Sequence, residues 1–202
     1  MLRKMTPFGK LFFDKNSGED LYDMFYSNFR KEMGVCPCCN STGNCGVHGY
    51  YARHLVDYFK GKIRTKRIRI IRLLCKTCKH THAVLPDIIV PYAQYTIRFI
   101  CRVISVKLTS ALTIDAICKK FDISYKTLYR FFEIYKEHKA LWLGVVESAE
   151  TSQEQFLNII GTFECLSDFM NAFCNRFAFS FLQRHANPAN SCRRGTKRMY
   201  VA

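Results

Sequence analysis

The pattern of apolar residues changes from helical to extended within the first half of the chain. Within EDLYDMFYSNFRKEM, apolar residues recur at the three- and four-residue spacing of one helix face, at Leu21, Met24, Phe25 and Phe29. From residue 34 to residue 90, the segments VHGYYARHLVDYF and KRIRIIRLL are rich in aromatic and β-branched residues, which predicts two strands. The sequence KGK between them, at residues 60–62, predicts a hairpin turn.

The second half of the chain returns to the helical pattern. Residues 92–139 predict three helices, and residues 147–185 predict two more, ahead of a polar, basic tail. The last two contain phenylalanines at helical spacing, namely Phe163, Phe169, Phe173, Phe177 and Phe181. We expect these rings to complete the core or to pack on the amino-terminal helix. The alternative is that the C-terminal helices form a homodimer interface.

These patterns predict an α+β fold in four parts. Residues 1–33 form an amino-terminal helical segment, residues 34–91 a small unit of β-hairpins, residues 92–139 a three-helix unit, and residues 140–202 the C-terminal helices and tail. With 202 residues, 49% of them hydrophobic, the chain is long enough for one or two small cores.

Charge is strongly positive and unevenly distributed. The formal net charge is +15, and the isoelectric point is about 9.4. Lys and Arg are concentrated between residues 53 and 82, where Asp57 is the only acid, whereas residues 140–175 contain neither Lys nor Arg. Such an asymmetric excess indicates a polyanionic partner or an acidic membrane surface, and the alternative is a surface that only keeps the protein soluble.

The eleven cysteines indicate metal binding rather than a disulfide scaffold. Disulfide-rich secreted proteins are usually short and carry a signal peptide, but Gly9, Lys10 and Asp14 interrupt the apolar character of the amino terminus. No stretch reaches the roughly 18 apolar residues that a transmembrane helix needs. We therefore expect a cytoplasmic, nucleoid-associated protein without a membrane partner, in which paired cysteines hold metal.

Two C-x-x-C motifs flank the predicted strands. Cys36 and Cys39 form the first pair, and Cys75 and Cys78 form the second. Four thiolates from two short turns that a hairpin separates give the tetrahedral sulfur site that Zn²⁺ prefers. The sequence thus predicts a zinc ribbon with four cysteine ligands. In the crowded CPCC segment, Cys38 occupies the variable position of C-P-x-C, and we expect it to be dispensable.

Other residues near the two motifs leave the exact set of metal ligands open. Asn40 follows Cys39 at a position that often requires a left-handed backbone, which Asn tolerates well. Lys79 stands at the equivalent position of the second motif, where Gly is more usual. Further ligands, or a second metal, could come from Cys45, His48, His80 and His82, although we expect the last two to line the basic surface. A redox role for the C-x-x-C pairs is disfavoured. A redox motif of this kind stands at the start of a helix, whereas these cysteines are flanked by predicted strands.

The segment LTIDAICKKFDISYKTLYRFFEIYKEH predicts a helix-turn-helix. Its apolar anchors have the required spacing, at Ile114, Ile117, Phe121, Ile123, Leu128 and Phe131. Cys118 takes the small position where the two helices touch, and Asp122 takes the turn position that favours a left-handed backbone. Ser124 is a suitable N-cap for the second helix, and residues 95–108 predict a support helix.

Two sets of residues are candidates for DNA contacts. The exposed side of the second helix would present its side chains to the major groove, namely Ser124, Tyr125, Lys126, Thr127, Tyr129 and Arg130. The hairpin would supply cations for the phosphates, namely Lys62, Arg64, Lys66, Arg67 and Arg69. The alternative is a helical hairpin with an ordinary solvated basic face.

The cysteine-rich and helix-turn-helix segments together resemble the amino-terminal zinc-ribbon and helix-turn-helix region of bacterial insertion-sequence transposases. The residues that carry the resemblance are CPCC, VHGYYARH and IRLLCKTCKHTHAVLPDIIVPY, followed by LTIDAICKKFDISYKTLYRF. They are similar also to uncharacterised bacterial proteins that carry this region as a domain of unknown function. The resemblance covers about residues 34–139, and it implies recognition of the terminal repeats of a mobile element.

Transposases of this kind continue into a ribonuclease-H-like domain whose three acids bind two metal ions. The 63 residues after Lys139 are too few for that domain. The acids in these 63 residues are expected on helices, without the strands that would bring three of them together as a triad. They are Glu147, Glu150, Glu154, Glu164 and Asp168. We therefore expect a non-enzymatic, zinc-stabilised protein that binds double-stranded DNA, as an accessory factor, regulator or remnant related to a transposase. The alternatives are a subunit of a transposase or nuclease complex and a protein-protein interaction adaptor.

Overall fold

The structure is a computed structural model that combines one sheet with six helices in the part of the chain it describes, which is residues 2–3, 16–28, 36, 38–86, 88–90, 93–148, 166–177 and 181–182. The elements in chain order are β1 (Leu2–Arg3), α1 (Gly18–Asn28), β2 (Cys45–Phe59), β3 (Lys62–Cys75), β4 (Thr81–Leu85), α2 (Ile97–Thr109), α3 (Ile114–Phe121), α4 (Tyr125–Glu137), α5 (Lys139–Ser148) and α6 (Leu166–Phe177). The predicted mixture of a strand-rich segment and later helices is confirmed. None of these helices is both long and apolar enough to cross a bilayer.

A long β-hairpin is the centre of the sheet. Strands β2 and β3 pair antiparallel along their length, from Cys45 opposite Cys75 to Phe59 opposite Lys62. Lys60 and Gly61 close the hairpin with φ of 48° and 77°, and a two-residue type I′ turn requires such positive values at both positions. The turn predicted from KGK is therefore confirmed. Strand β4 pairs antiparallel with β3, and the short β1 pairs parallel with β4.

The two faces of the hairpin pack on different parts of the molecule, because neighbouring residues of a strand point to opposite faces of the sheet. Ile68 and Ile70 of β3 belong to the larger apolar cluster, which includes the helices. Ile71 and Leu73 belong to a smaller cluster around the predicted metal ligands. One strand thus connects the helical core to the cysteine-rich end of the molecule.

Helices α2, α3 and α4 confirm the three helices predicted between residues 92 and 139. Thr96 and Thr113 cap α2 and α3 by accepting hydrogen bonds from backbone N–H groups three residues later. Asp122 ends α3 in the left-handed conformation with φ of 50°, and Ser124 caps α4, as the sequence predicted. The apolar anchors are buried or, at Ile114, partly buried.

The C-terminal helices differ from the prediction at one point. The sequence placed the next helix after α4 near residue 147, but α5 already begins at Lys139, directly after the buried His138. The His138 ring lies 6.0 Å from Phe173, and its Nδ1 accepts a hydrogen bond from the Leu182 backbone at 3.1 Å. Phe169, Phe173 and Phe181 are buried in this region, as expected for core residues. Phe163, like Phe29 of the amino-terminal pattern, lies outside the described residues.

A buried ion pair joins the hairpin to two helices. The Asp57 carboxylate of β2 accepts hydrogen bonds from the Arg98 guanidinium at 2.7 Å, from the Thr96 hydroxyl at 2.6 Å and from the Gly18 backbone N–H at 2.7 Å. Gly18 begins α1, and Thr96 caps α2. Arg98 also donates to the carbonyl oxygen of Asn16 at 2.9 Å. The carboxylate therefore fixes the starts of α1 and α2 against the same strand.

The close approach of α1 to this network requires glycine at position 18. A Cβ added there would lie 2.9 Å from Cγ2 of Thr96 and 3.1 Å from Oδ2 of Asp57. Gly49 in β2 offers a matched control, because a Cβ at that position meets nothing within 4 Å.

We expect Gly18→Ala to lower the free energy of unfolding by about 1–3 kcal/mol, since the methyl group must displace buried groups. Gly49→Ala should change it by less than about 0.5 kcal/mol. Urea denaturation of the zinc-loaded proteins measures both values. Equal effects of the two substitutions would show that the Asp57 network does not constrain the start of α1.

Candidate metal centre and nucleic-acid interface

The two C-x-x-C motifs share two backbone hydrogen bonds and a left-handed residue. In the first, the N–H of Asn40 donates to the carbonyl of Cys36 at 2.8 Å, and the N–H of Cys36 donates to the carbonyl of Ser41 at 2.9 Å. In the second turn, the equivalent bonds measure 2.9 and 3.0 Å, formed by Lys79, Cys75 and His80 in the same order. Asn40 and Lys79 have φ of 56° and 61°, so the predicted left-handed residue is present in both turns.

The four predicted ligands converge on one point. Their sulfur atoms all lie within 4.8 Å of one another. The Cys36 and Cys78 sulfurs are 3.6 Å apart, and the Cys39 and Cys75 sulfurs are 3.7 Å apart. A tetrahedral zinc site with Zn–S bonds of about 2.3 Å has edges of about 3.8 Å. All four cysteines are free thiols, so the cluster has the size and the donor set for a metal ion such as Zn²⁺.

Neighbouring donors stabilise thiolate at one side of this cluster. The Ser41 hydroxyl and the backbone N–H of Cys78 lower the pKa of Cys75 to about 5, and the Ser41 hydroxyl also lowers the pKa of Cys39. At Cys78, the His80 N–H favours the thiolate, yet burial and three nearby sulfurs raise the pKa to about 12. Four thiolates at this distance need a cation, and metal binding would displace the remaining protons.

The other candidate ligands take different places. Cys38 Sγ lies 3.5 Å from His80 Nδ1, and these two residues with Cys78 form a second group of metal-ligating spacing. Both groups use Cys78, but Cys38 is disulfide-bonded whereas Cys36, Cys39, Cys75 and Cys78 are free thiols, so the four-cysteine set is the one that offers thiolates to a single ion. Among the described residues, Cys45 and His48 belong to neither set: Cys45 is buried in the small apolar cluster, and His48 is the extra residue at a β-bulge.

His82 corrects one expectation. The sequence placed it on the basic surface, but it is buried, with Nε2 3.3 Å from Cys36 Sγ. Burial lowers its pKa to about 4, so the ring is neutral and can support the sulfur as a hydrogen-bond partner. The sequence of β4, THAVL, does not alternate strictly between polar and apolar residues, so no sequence pattern identified His82 as buried. Ser41 was also missed, because a serine in a turn has no distinctive pattern.

The predicted DNA-contacting residues are at the surface, and several of them have partners within the chain. All are exposed except Thr127, which is half-buried. The Ser124 side chain caps α4, and the Tyr125 hydroxyl donates to Asp115 at 2.9 Å. In the hairpin, Lys66 forms an ion pair with Glu19, and the Arg69 guanidinium lies 3.9 Å from the Tyr50 ring centre.

Helix α4 has one exposed side and one buried side, as the spacing of its apolar residues predicts. Lys126, Tyr129 and Arg130 are exposed, whereas Leu128 and Phe131 are buried against the other helices. The exposed side of α4 therefore carries cations and an aromatic ring with no carboxylate in its first two turns.

Comparison with known proteins gives a family match for the central part of the chain. A domain described as Domain of unknown function (DUF6431) covers residues 36–131. No curated protein and no solved structure matches the chain. The matched segment begins at the first predicted metal ligand and ends at Phe131 within α4, so it includes the thiol cluster, α2, α3 and the first half of α4.

The neighbouring cysteines 38 and 39 allow a matched test of the metal centre. We expect Cys39→Ser to release bound zinc, because it removes one of four sulfur ligands, whereas Cys38→Ser should retain one zinc per chain. Elemental analysis after dialysis measures the metal content. Loss of zinc in Cys38→Ser together with retention in Cys39→Ser would instead assign the ion to the Cys38, Cys78 and His80 set.

Proposed function

We propose that the protein is a zinc-stabilised, non-enzymatic protein that binds double-stranded DNA through α3 and α4 as a helix-turn-helix. The observation that carries this proposal is the composition of α4, whose exposed side presents Lys126, Tyr129 and Arg130 while its opposite side is buried. The left-handed Asp122 and the cap at Ser124 set the tight turn that such a unit requires.

Zinc would have a structural role. Four cysteine ligands fill a tetrahedral site and leave no position for a substrate or water, which is typical of structural rather than catalytic zinc. The metal would join Cys36 and Cys39 to the end of β3 and to the turn between β3 and β4. Because the apolar cluster beneath it is small, metal binding would supply part of the folding free energy of this end of the protein.

The hairpin would add phosphate contacts. Lys62, Arg64, Arg67 and Arg69 are exposed, and of the five predicted cations only Lys66 is paired with an acid among the described residues. Contacts of this kind position a protein on DNA without reading sequence, whereas base contacts from α4 would supply the choice of site. Since one domain match includes both units, we propose that hairpin and helix bind the same duplex.

The biological setting that the resemblance implies is a mobile element, with this chain as an accessory factor or regulator related to a transposase. Binding to terminal repeats would require recognition of paired half-sites, for which a homodimer is the simplest arrangement. Phe169 and Phe173 of α6 are buried within the chain and Phe177 is half-buried, so such a dimer would mainly use other surfaces of the C-terminal region.

The proposed phosphate contacts predict a steep salt dependence of DNA binding. For about five contacts, the logarithm of the association constant should fall with a slope of about −4 to −5 against the logarithm of salt concentration. Fluorescence anisotropy with a labelled duplex of random sequence, at several salt concentrations and with zinc present, measures this slope. A zinc-loaded protein that fails to bind duplex DNA at low salt would refute the proposed function.

Substitution on α4 tests the helix-turn-helix separately. We expect Lys126→Ala and Arg130→Ala each to weaken duplex binding by about 1–3 kcal/mol, since each removes one cation from the proposed groove surface. Lys139→Ala is the control, because Lys139 is also exposed but begins the next helix. Equal losses for all three variants would indicate nonspecific charge attraction, and no loss at Lys126 or Arg130 would exclude α4 as the DNA-contacting helix.

A further inference from the structure

A cavity of about 650 Å³ opens between the hairpin and α4. Its walls follow the periodicity of the elements that form them: alternate residues of β2 and β4 and one side of α4 line the space. Tyr51 and Arg53 come from β2, Thr81, Ala83 and Leu85 from β4, and Thr127, Arg130, Phe131 and Ile134 from α4. Residues 90 and 93–95, Ile100 of α2 and Leu182 complete the lining, and the volume is within the range of about 300–1,000 Å³ of small-molecule sites.

Two guanidinium groups line this cavity, and no acid does among the described lining residues. Arg53 is half-buried and donates to the Val90 carbonyl at 3.0 Å. Within the described part of the chain, neither Arg53 nor Arg130 forms an ion pair. Partial burial lowers the pKa of Arg53, which reflects the cost of removing its charge from water without an anion. The cavity thus offers two cations and, among its described lining residues, no acid to an anionic ligand.

The remaining lining is aromatic and apolar. The Tyr95 and Phe131 rings meet edge to face with centres 5.2 Å apart, and Tyr51 stands on the same strand as Arg53. Leu85, Ile100 and Ile134 supply aliphatic surface. A bare phosphate or the DNA backbone alone would gain little from such surface, whereas a ligand with a flat ring would bury it.

We propose that this cavity is a binding site for a nucleoside monophosphate, with the phosphate between Arg53 and Arg130 and the base against the aromatic wall. The nucleotide can be free in solution or can be the phosphorylated end of a DNA strand. Arg130 belongs also to the proposed DNA-contacting side of α4. A free nucleotide that occupies Arg130 therefore weakens duplex binding, and by linkage duplex DNA weakens nucleotide binding by the same factor.

Calorimetric titration of the zinc-loaded, DNA-free protein with deoxyadenosine 5′-monophosphate tests the site. We expect saturable binding of one nucleotide per chain, and at least tenfold weaker binding of deoxyadenosine and of inorganic phosphate, because each lacks half of the ligand. Absence of saturable binding by the monophosphate would overturn the proposal. So would equal binding of the nucleotide and of inorganic phosphate.

Three variants locate the binding. Arg53→Gln removes the half-buried cation, Arg130→Gln removes the exposed cation, and Ala83→Leu fills the cavity without changing charge. Each should weaken nucleotide binding at least tenfold. Arg67→Gln is the matched control, because Arg67 pairs with His54 rather than Arg53 and thus lies on the opposite face of the hairpin. Thermal denaturation identifies any variant that fails to fold, and the exposed position of Arg130 keeps at least that variant informative. Binding that Arg130→Gln and Ala83→Leu leave unchanged would place the nucleotide elsewhere and refute the site.

Two further measurements are needed. The first distinguishes a free nucleotide from the phosphorylated end of a strand, and the second tests whether nucleotide binding is independent of the proposed duplex binding. The first compares a 5′-phosphorylated single strand with its dephosphorylated form. Tighter binding of the phosphorylated strand, lost in Arg53→Gln, identifies the strand end as the ligand, and equal binding of the two strands identifies the free nucleotide. Lys126→Ala should weaken duplex binding and leave nucleotide binding unchanged, since Lys126 does not line the cavity. Loss of both in Lys126→Ala would show that the cavity is not a separate site.

Discussion

The buried carboxylate of Asp57 is the constraint on which the relative positions of hairpin and helices depend. It accepts hydrogen bonds from a guanidinium and a hydroxyl at the start of α2 and from a backbone N–H at the start of α1. Removal of one partner from such a pair leaves a buried charge without compensation, which costs about 3–5 kcal/mol. The backbone also contributes, since the segment before α2 pairs with Val56 of β2 in both directions at 2.7 and 2.9 Å. Helix α2 is thus fixed on the hairpin, and α3 and α4 pack on α2.

The hairpin is held at both ends by different chemistry. Near its turn, charge and hydrogen bonds attach it to helices; at its open end, the thiol cluster and a small apolar cluster attach it to the turn at residues 36–41. Arg53 lies between these two attachments, on a stretch of β2 where the burial changes from exposed to buried. A binding cavity at this position has a rigid wall whose arginine is already oriented by its bond to Val90, which lowers the ordering cost of binding.

Local patterns in the sequence predicted what depends on short-range spacing, and they failed where partners lie far apart in the chain. The C-x-x-C motifs, the turn at Lys60 and the left-handed residues could be predicted because each depends on a few consecutive residues. The pair between Asp57 and Arg98 could not, since 41 positions separate its members and charged residues usually remain exposed. Helix α5 was missed because α4 and α5 adjoin at the buried His138, with no glycine or proline to mark the boundary.

The same carboxylate explains the charge of the surface. Between residues 53 and 82 the chain has ten Lys and Arg residues and one acid, Asp57. Because that acid is buried against Arg98 from outside the segment, it neutralises none of the ten. Among the described residues, the hairpin cations have one carboxylate partner, Glu19 of α1 at Lys66. The interaction that positions the helices therefore also leaves the hairpin with almost unopposed positive charge, whose mutual repulsion a polyanion would relieve.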